Sequence, residues 1–422
     1  MVEAIESRIA RLLEGVQPGS AQYAVEVIDR VLAAGQQLGA SDLHLQPGAE
    51  GLELRLRIDG VLHRGYVFPP AVAGNLLARL KVCADLLTYR TDMPQEGRIR
   101  TADTQIEMRV STFPTIYGEK AVVRYFAGPR RYLYLNDLGF PADVLEPLRR
   151  LLGETSGAIL ATGPAGSGKT TTVYACLREL VAQWGGQRNL VSLEDPVEVA
   201  VPGVAQSQVN PRVGFDLATG LRFLLRQDPD VILVGEIRDR DTAEAAFQAS
   251  LTGHLVLTTF HAGSAAEAIS RLSDMGIEPY VLRSGVLAIL GQRLLRRLCP
   301  CGRWADEPAA RLGLPADRVR LPVGCPQCSG TGYCGRMVLA ELLVPQRTEL
   351  GRAILSRSDA ATLERLAAAA GMITRWERGY EAVRQGLTSP MELRRVLGFG
   401  EPAAPGPLGG SSGAGVESTC RE

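Results

Sequence analysis

No stretch of this chain approaches the ~18 consecutive apolar residues of a membrane-spanning helix, although apolar side chains make up 45% of it. The opening segment, MVEAIESRIARLLEG, carries Glu3, Glu6 and Arg8 where a secretory leader needs an unbroken apolar core. Neither a leader nor an anchor is expected, and any membrane association is expected only indirectly, through a partner. Net charge is also missing. The 46 basic and 46 acidic side chains cancel, so no global field draws the chain onto nucleic acid or an anionic bilayer. Aromatics amount to 5%, too few for extensive base-stacking platforms, and no nucleic-acid partner is expected. Internal repeats are absent. Of the eight cysteines, five crowd between Cys299 and Cys334. In a chain with no secretory leader, that clustering points to a metal site in a reducing compartment, and so to the cytosol.

What is present fills about three domains at ordinary domain size. Residues 1–20 read as a short amphipathic helix ending near QPGS. Residues 21–135 mix helix and strand: in LELRLRI, Leu52, Leu54, Leu56 and Ile58 alternate with Glu53, Arg55 and Arg57, the pattern of a half-buried strand. Asp59-Gly60 then predicts a hairpin. TQIEMRV alternates likewise and puts Arg109 on its polar face. From residue 136 to 345, short apolar runs alternate with helical stretches, the signature of a parallel sheet wrapped by helices. Residues 346–399 read as a small helical bundle, and the Gly/Pro/Ser-rich residues 400–422 as a disordered tail.

GPAGSGKTTT fits G-x-x-x-x-G-K-[ST] from Gly163 through Pro164, Ala165, Gly166, Ser167, Gly168 and Lys169 to Thr170, with Thr171 following. Such a loop wraps phosphate with its amides while the lysine reaches the β- and γ-phosphates. The hydroxyl of Thr170 is the expected Mg²⁺ ligand. GAILAT before it reads as a strand and KTTTVYACLREL after it as a helix, the context an ATP-binding loop requires. Three more apolar runs end in polar residues: LVSL at Glu194-Asp195, VILV at Gly235-Glu236, and LVLTTF at His261. As parallel neighbours of the first strand they would emerge at one carboxyl edge, where ligands of open α/β sheets bind. Glu194 and Glu236 are then candidates to hold Mg²⁺ or its water and to orient the attacking water. His261 is a candidate sensor of the γ-phosphate. His254, ahead of its strand, fits packing or capping.

These motifs, in their order and spacing, resemble the secretion ATPases of type II secretion and type IV pilus assembly. SLEDPVE matches the family's acidic box, Ile232 to Glu236 its second nucleotide motif, and His254 to His261 its histidine box. GASDLHLQP, RIDGVL, PQEGRI and RVSTFPTIYGEKAVVR resemble its second N-terminal domain. The resemblance runs from about Gly39 to Gly398. It implies a RecA-like P-loop domain preceded by a smaller α+β (PAS-like) domain, a zinc-binding insert and C-terminal helices. It also implies a homohexamer driven by ATP hydrolysis. Implied partners are an inner-membrane platform protein and a recruitment protein at the cytoplasmic face of the membrane, placing the chain peripheral to that membrane. Arginines of the N-terminal domain close over the phosphates in this family; the matching positions are Arg109 and Arg124, with Arg98, Arg222 and Arg226 further candidates. Gln46 stands where relatives carry Glu, and Phe260-His261-Ala262 where they carry Leu-His-Thr. The long N-terminal recruitment domain of many relatives is expected to be missing or reduced to one helix. A retraction motor and a nucleic-acid motor are the other readings of the same core.

LCPCGRW supplies Cys299 and Cys301, and GCPQCSG supplies Cys325 and Cys328. Two thiolate pairs across a loop can close a tetrahedral Zn²⁺ site, with Cys334 an alternative ligand because the first pair is tightly spaced. The resemblance associates such a four-cysteine module with assembly and secretion motors more than with retraction motors.

Overall fold

The computed structural model describes residues 5–100, 107–125, 132–345 and 348–399. The tail 400–422, expected to be disordered, lies outside the described residues, as does the start of the TQIEMRV strand. Helices α1 (Ile5–Leu13) and α2 (Tyr23–Gln37) are followed by β1 (Ala40–Gly48), β2 (Gly51–Ile58), β3 (Val61–Phe68), α3 (Pro70–Cys83), β4 (Gln95–Arg100), β5 (Glu107–Thr115) and β6 (Gly118–Tyr125). The strands pair antiparallel in the order β3-β2-β1-β6-β5-β4. Alternation decides which face is covered. Leu52, Leu54 and Leu56 are wholly buried with Leu43, Leu45, Val110 and Val123 against Val27, Ile28, Val31, Leu76 and Leu80 of α2 and α3. The predicted hairpin is there: Ile58 opposes Val61, and Asp59 and Gly60 both take positive φ, 49° and 80°, as a two-residue turn matched to strand twist demands.

The second unit runs α4 (Ala142–Leu152), β7 (Gly157–Thr162), α5 (Lys169–Trp184), β8 (Leu190–Glu194), β9 (Ala205–Gln208), α6 (Leu217–Leu224), β10 (Val231–Val234), α7 (Arg240–Leu251), β11 (Leu255–Phe260), α8 (Ala265–Asp274), α9 (Pro279–Gly285) and β12 (Val286–Leu298). Then come β13 (Arg303–Ala305), β14 (Val319–Leu321) and β15 (Tyr333–Leu343). The sheet order is β15-β12-β7-β11-β10-β8-β9, parallel except for β15. Strands β7, β8, β10 and β11 are buried end to end because helices cover both faces. One face packs Val144, Leu148, Val173 and Leu177 of α4 and α5. The other packs Leu221, Phe247, Ile269 and Leu282 of α6 to α9.

Four helices close the chain: α10 (Thr348–Leu355), α11 (Ala360–Ala369), α12 (Arg375–Arg384) and α13 (Pro390–Leu397). Leu350, Ile354, Leu363 and Ala367 of α10 and α11 belong to the same apolar core as α6 to α9. The last pair, α12 and α13, packs with Leu295, Val319 and Leu339 through Tyr380, Val383 and Leu393. A buried ion pair fastens α13. Glu392, with none of its side chain exposed, accepts from the Arg296 main-chain N–H at 3.0 Å and guanidinium at 2.7 Å, and pairs with Arg395. Contacts also join the two units: Asp59 of the β2–β3 turn accepts from the Gly335 N–H at 3.1 Å and faces Arg336 at 3.4 Å. No helix among the described residues is long and apolar enough to cross a membrane.

Replacing Glu392 by Ala would leave the Arg296 guanidinium buried and uncompensated. We expect a loss of about 3–5 kcal/mol in denaturant unfolding, since breaking one side of a buried pair strands the other charge. A loss below ~1 kcal/mol, the scale of a surface pair, would show that α13 is held by apolar packing alone.

Candidate active site

Strand β7 delivers the chain into the glycine loop, and α5 begins at Lys169. Gly163 has no room for a side chain: a Cβ there would lie 2.5 Å from both the Gln292 carbonyl oxygen and the Ser167 hydroxyl. Gly168 takes φ 92° as the residue preceding α5, a conformation that favours glycine. The first turn of α5 carries no acidic side chain, so its free amides and positive helix end stay open to an anion. Lys169 Nζ donates to the carbonyls of Gly163 and Pro164, both at 2.9 Å, and Thr170 and Thr171 follow on the same turn. Burial pulls the Lys169 pKa down to about 8; the Glu236 carboxylate opposes that shift and Arg293 adds to it.

The runs predicted to be parallel neighbours are so paired. Leu190–Leu193 of β8 align with Val231–Val234 of β10, which align with Leu255–Thr258 of β11, itself paired with β7. Glu194 therefore ends its strand at the loop's edge, and Glu236 and His261 follow theirs. Glu194 is 3% exposed, and both its oxygens are engaged. Its oxygens accept from Ser192 Oγ at 2.6 Å, Gln206 Nε2 at 3.1 Å and the Tyr174 hydroxyl. Burial and that carboxylate together raise the Tyr174 pKa, so the phenol stays a donor. Glu236 is more open. Its carboxylate lies 3.3 Å from His261 Nε2 and pairs with Arg238, which also faces Asp195 at 3.5 Å. His254 caps the end of α7, Nδ1 lying 3.1 Å from the Ala249 carbonyl.

The N-terminal sheet presents its arginines in one line. Arg98 opposes Arg109, Arg109 opposes Arg124, Arg124 opposes Asp42, and Asp42 opposes Arg57. Directly opposed residues share a face, so four guanidiniums and one carboxylate form a cross-strand row. Asp42, 5% exposed, holds Arg124 at 2.8 Å and faces Arg57 at 3.7 Å, while Arg109 pairs with Glu96 at 2.5 Å. Arg124 also reaches the other unit electrostatically. Burial and the charge of Glu194 raise the Glu198 pKa, and Arg124 is the cation that counters them. Neither Arg109 nor Arg124 forms a direct bond to the glycine loop among the described residues. Arg222 and Arg226 are exposed on and after α6.

The four predicted cysteines converge. All their sulfurs lie within 4.8 Å of one another, with Cys299 Sγ 3.7 Å from Cys325, Cys301 3.9 Å from Cys328, and Cys325 3.8 Å from Cys328. A tetrahedron with Zn–S arms of ~2.3 Å has edges of ~3.8 Å, and these three separations match it, so the donor set fits such an ion. The pairing of β12 with β15 explains the convergence. They are antiparallel neighbours, so the insert between them leaves and returns at one place. Each cysteine of the tightly spaced pair meets a different cysteine of the second pair, and Cys334 lies outside the set.

The sequence reading missed Tyr174, Gln206 and Arg238 around the two carboxylates, Asp42 beneath Arg124, and the Gln292-Arg293 dipeptide. Only the last left a strong trace: two polar residues interrupting the apolar run VLAILGQRLL.

A phosphate loop, a buried carboxylate, an open carboxylate and a histidine at the carboxyl edge of one parallel sheet define a P-loop ATPase of the RecA-like class. The model of the family described as "Type II/IV secretion system protein" matches residues 19–396. The chain is 41% identical over 381 residues to the type II secretion system ATPase E of Vibrio cholerae, covering 88% of this chain and 75% of that one. It is 39% identical to the type IV pilus assembly ATPase PilB of Thermus thermophilus, covering 84% of this chain and 41% of that protein. Among solved structures, the pilus retraction motor PilT with bound ADP superposes with a TM-score of 0.56 at 25% identity, covering 86% of this chain and 95% of that one. The chain belongs to the type II/IV secretion system protein family and is an ATP-hydrolysing enzyme.

The depressed pKa of Lys169 gives nucleotide binding a pH signature. Above pH about 8 the amine loses its proton, whereas a bound polyphosphate favours the cation, so binding there takes up a proton and affinity falls as pH rises. Calorimetry with Mg²⁺-free ADP at about pH 8.5, in buffers of different ionisation enthalpy, should show uptake of a fraction of a proton. Heats independent of buffer would refute the shift.

Proposed function

We propose that this ATPase powers the assembly of a pilus or pseudopilus at a bacterial inner membrane, as part of a type II secretion or type IV pilus machine. On this reading it works as a homohexamer on the cytoplasmic face and is membrane-associated only through partners, a platform protein and a recruitment protein. The named activities of its relatives support the reading. The observation that carries the mechanism is the arginine row of the N-terminal sheet, whose Arg124 acts through space on Glu198, four residues beyond Glu194.

Lys169 and the loop amides would hold the β- and γ-phosphates. Thr170 would hold Mg²⁺, which would supply positive charge against that developing on the phosphates. Glu236, hydrogen-bonded to His261, would orient the attacking water. Glu194, with its oxygens already engaged, acts as a fixed charge that shapes the edge. Arg124 and Arg109 would leave Asp42 and Glu96 for the γ-phosphate, and this exchange of partners couples hydrolysis to closure of one unit on the other. The four thiols would bind Zn²⁺ as a closed structural site with no open position for chemistry. That module, by the resemblance, favours assembly over retraction.

Purified protein carrying both Arg109→Ala and Arg124→Ala is expected to lose about 10³-fold in kcat, the low end of what a transition-state arginine supplies. Single-stranded DNA should leave the wild-type rate unchanged. A double variant with wild-type turnover would end the clamp mechanism. Strong stimulation by DNA would favour a nucleic-acid motor.

For the thiols, Cys325→Ser with Cys328→Ser should abolish co-purifying zinc in elemental analysis and lower the melting temperature. Wild-type protein free of zinc after purification from zinc-supplemented cells would overturn the assignment.

A further inference from the structure

Strand β12 is apolar through Leu290 and again at Leu294-Leu295, and the polar pair Gln292-Arg293 sits between. Successive residues of a strand face opposite sides, and these two reach opposite sides of the nucleotide edge. Gln292, 3% exposed, donates through Nε2 to Thr172 Oγ1 on α5 at 2.9 Å. Its own carbonyl oxygen is one of the two atoms, with the Ser167 hydroxyl, that deny Gly163 a Cβ. Arg293 points to the other face. Nη2 donates to the Gly263 carbonyl at 2.6 Å and Nη1 to the Gln292 carbonyl at 3.0 Å.

Gly263 lies two residues beyond His261, in the loop that carries the histidine. Other groups hold this loop as well. Glu341 of β15, 1% exposed, accepts from the Ala265 N–H at 2.9 Å, and Arg271 donates to the His261 carbonyl. Among the described residues, only Arg293 holds the histidine loop with one arm and, with the other, the main chain that buttresses the phosphate loop.

A packing role does not account for the charge. Arg293 is half-buried, and the desolvation of its guanidinium is opposed only through space by Glu341 and Glu267, with Arg375 repelling it. A neutral side chain would fill the position at less cost. A planar fork that reaches two carbonyls on different segments is what arginine supplies and lysine does not.

We infer that Arg293 is a positioning residue for ATP hydrolysis, fixing the His261–Glu236 pair relative to the phosphate loop by holding the Gly263 and Gln292 carbonyls together. It touches no reacting atom in this account. Its contribution is geometric, and small misplacements of reacting groups cost about 10²-fold in rate. Ground-state phosphate binding through Lys169 and the loop amides does not need it. The inference rests on the ATPase activity itself and holds whether the motor assembles a pilus or retracts one.

The test compares Arg293→Gln and Arg293→Lys with wild type in steady-state ATPase kinetics, with ADP affinity by fluorescence titration and thermal unfolding measured on the same proteins. Arg293→Gln should lower kcat about 10- to 100-fold while ADP affinity stays within about 3-fold, the split expected when only transition-state geometry is lost. Arg293→Lys, which keeps one donor and the charge, should recover part of that kcat. Wild-type kcat in Arg293→Gln would overturn the inference. So would parallel losses of kcat, ADP affinity and melting temperature with no advantage for lysine, the pattern of a merely structural residue. If Arg293→Gln fails to fold, Arg293→Lys decides alone: kcat reduced several-fold at unchanged ADP affinity supports the role, and wild-type kcat refutes it.

Discussion

Parallel register is the constraint on which the rest of the molecule depends. Strands β7, β11, β10 and β8 run in step, so four loops that are far apart in sequence open at one edge. Each strand is buried on both faces, and a slip of one residue would draw the polar residue at its end into the apolar sheet or push it away from the edge. Burial of leucines, valines and isoleucines therefore fixes where Glu194, Glu236, His261 and Lys169 stand. The chemistry then follows from differences in environment. Glu194 is enclosed and fully hydrogen-bonded, whereas Glu236 keeps an exposed edge beside a histidine and an arginine.

The two units meet this edge with opposite charge. The N-terminal sheet offers a row of guanidiniums with Asp42 among them; the ATPase sheet offers Glu194, Glu198 and Glu236. Asp42 is nearly buried, yet Arg124, its partner, is 65% exposed. Such an arginine can exchange a carboxylate for a phosphate at little net cost, because one charge-assisted pair replaces another. That near balance is what a reversible stroke needs. The β12–β15 end of the sheet is braced differently, by the cysteine insert between those strands and by the buried Glu392 clamp on α13. Asp59 reaches from the β2–β3 turn to Gly335 and Arg336 at the start of β15, so the N-terminal unit touches the strand that follows that insert.

Much of this was legible in the sequence, and the legible parts share a cause. Period-two alternation in LELRLRI, the Asp59-Gly60 turn, the glycine loop and the cysteine spacings are local signals, each set within about ten residues. The features that escaped depend on distant pairing. Nothing local to SDLHL says that Asp42 lies opposite Arg124, and nothing local to AQSQ says that β9 joins the sheet beside β8. The boundary expected near residue 345 separates the sheet from the last helices, yet α10 and α11 share the apolar core of α6 to α9. Apolar spacing in LERLAAAA announces a helix without naming the surface it covers. Gln292-Arg293 lies between these cases, since a polar pair inside an apolar strand is visible as an anomaly while its two partners are not.

The central claim is that residues 163–170, 194–198, 236–238 and 261–265 form one nucleotide-responsive edge. Hydrogen exchange followed by mass spectrometry, with and without a non-hydrolysable ATP analogue and Mg²⁺, addresses it directly. The account predicts that all four segments gain protection together, at the same analogue concentration. Protection confined to the glycine loop, with the other three segments exchanging as before, would contradict it.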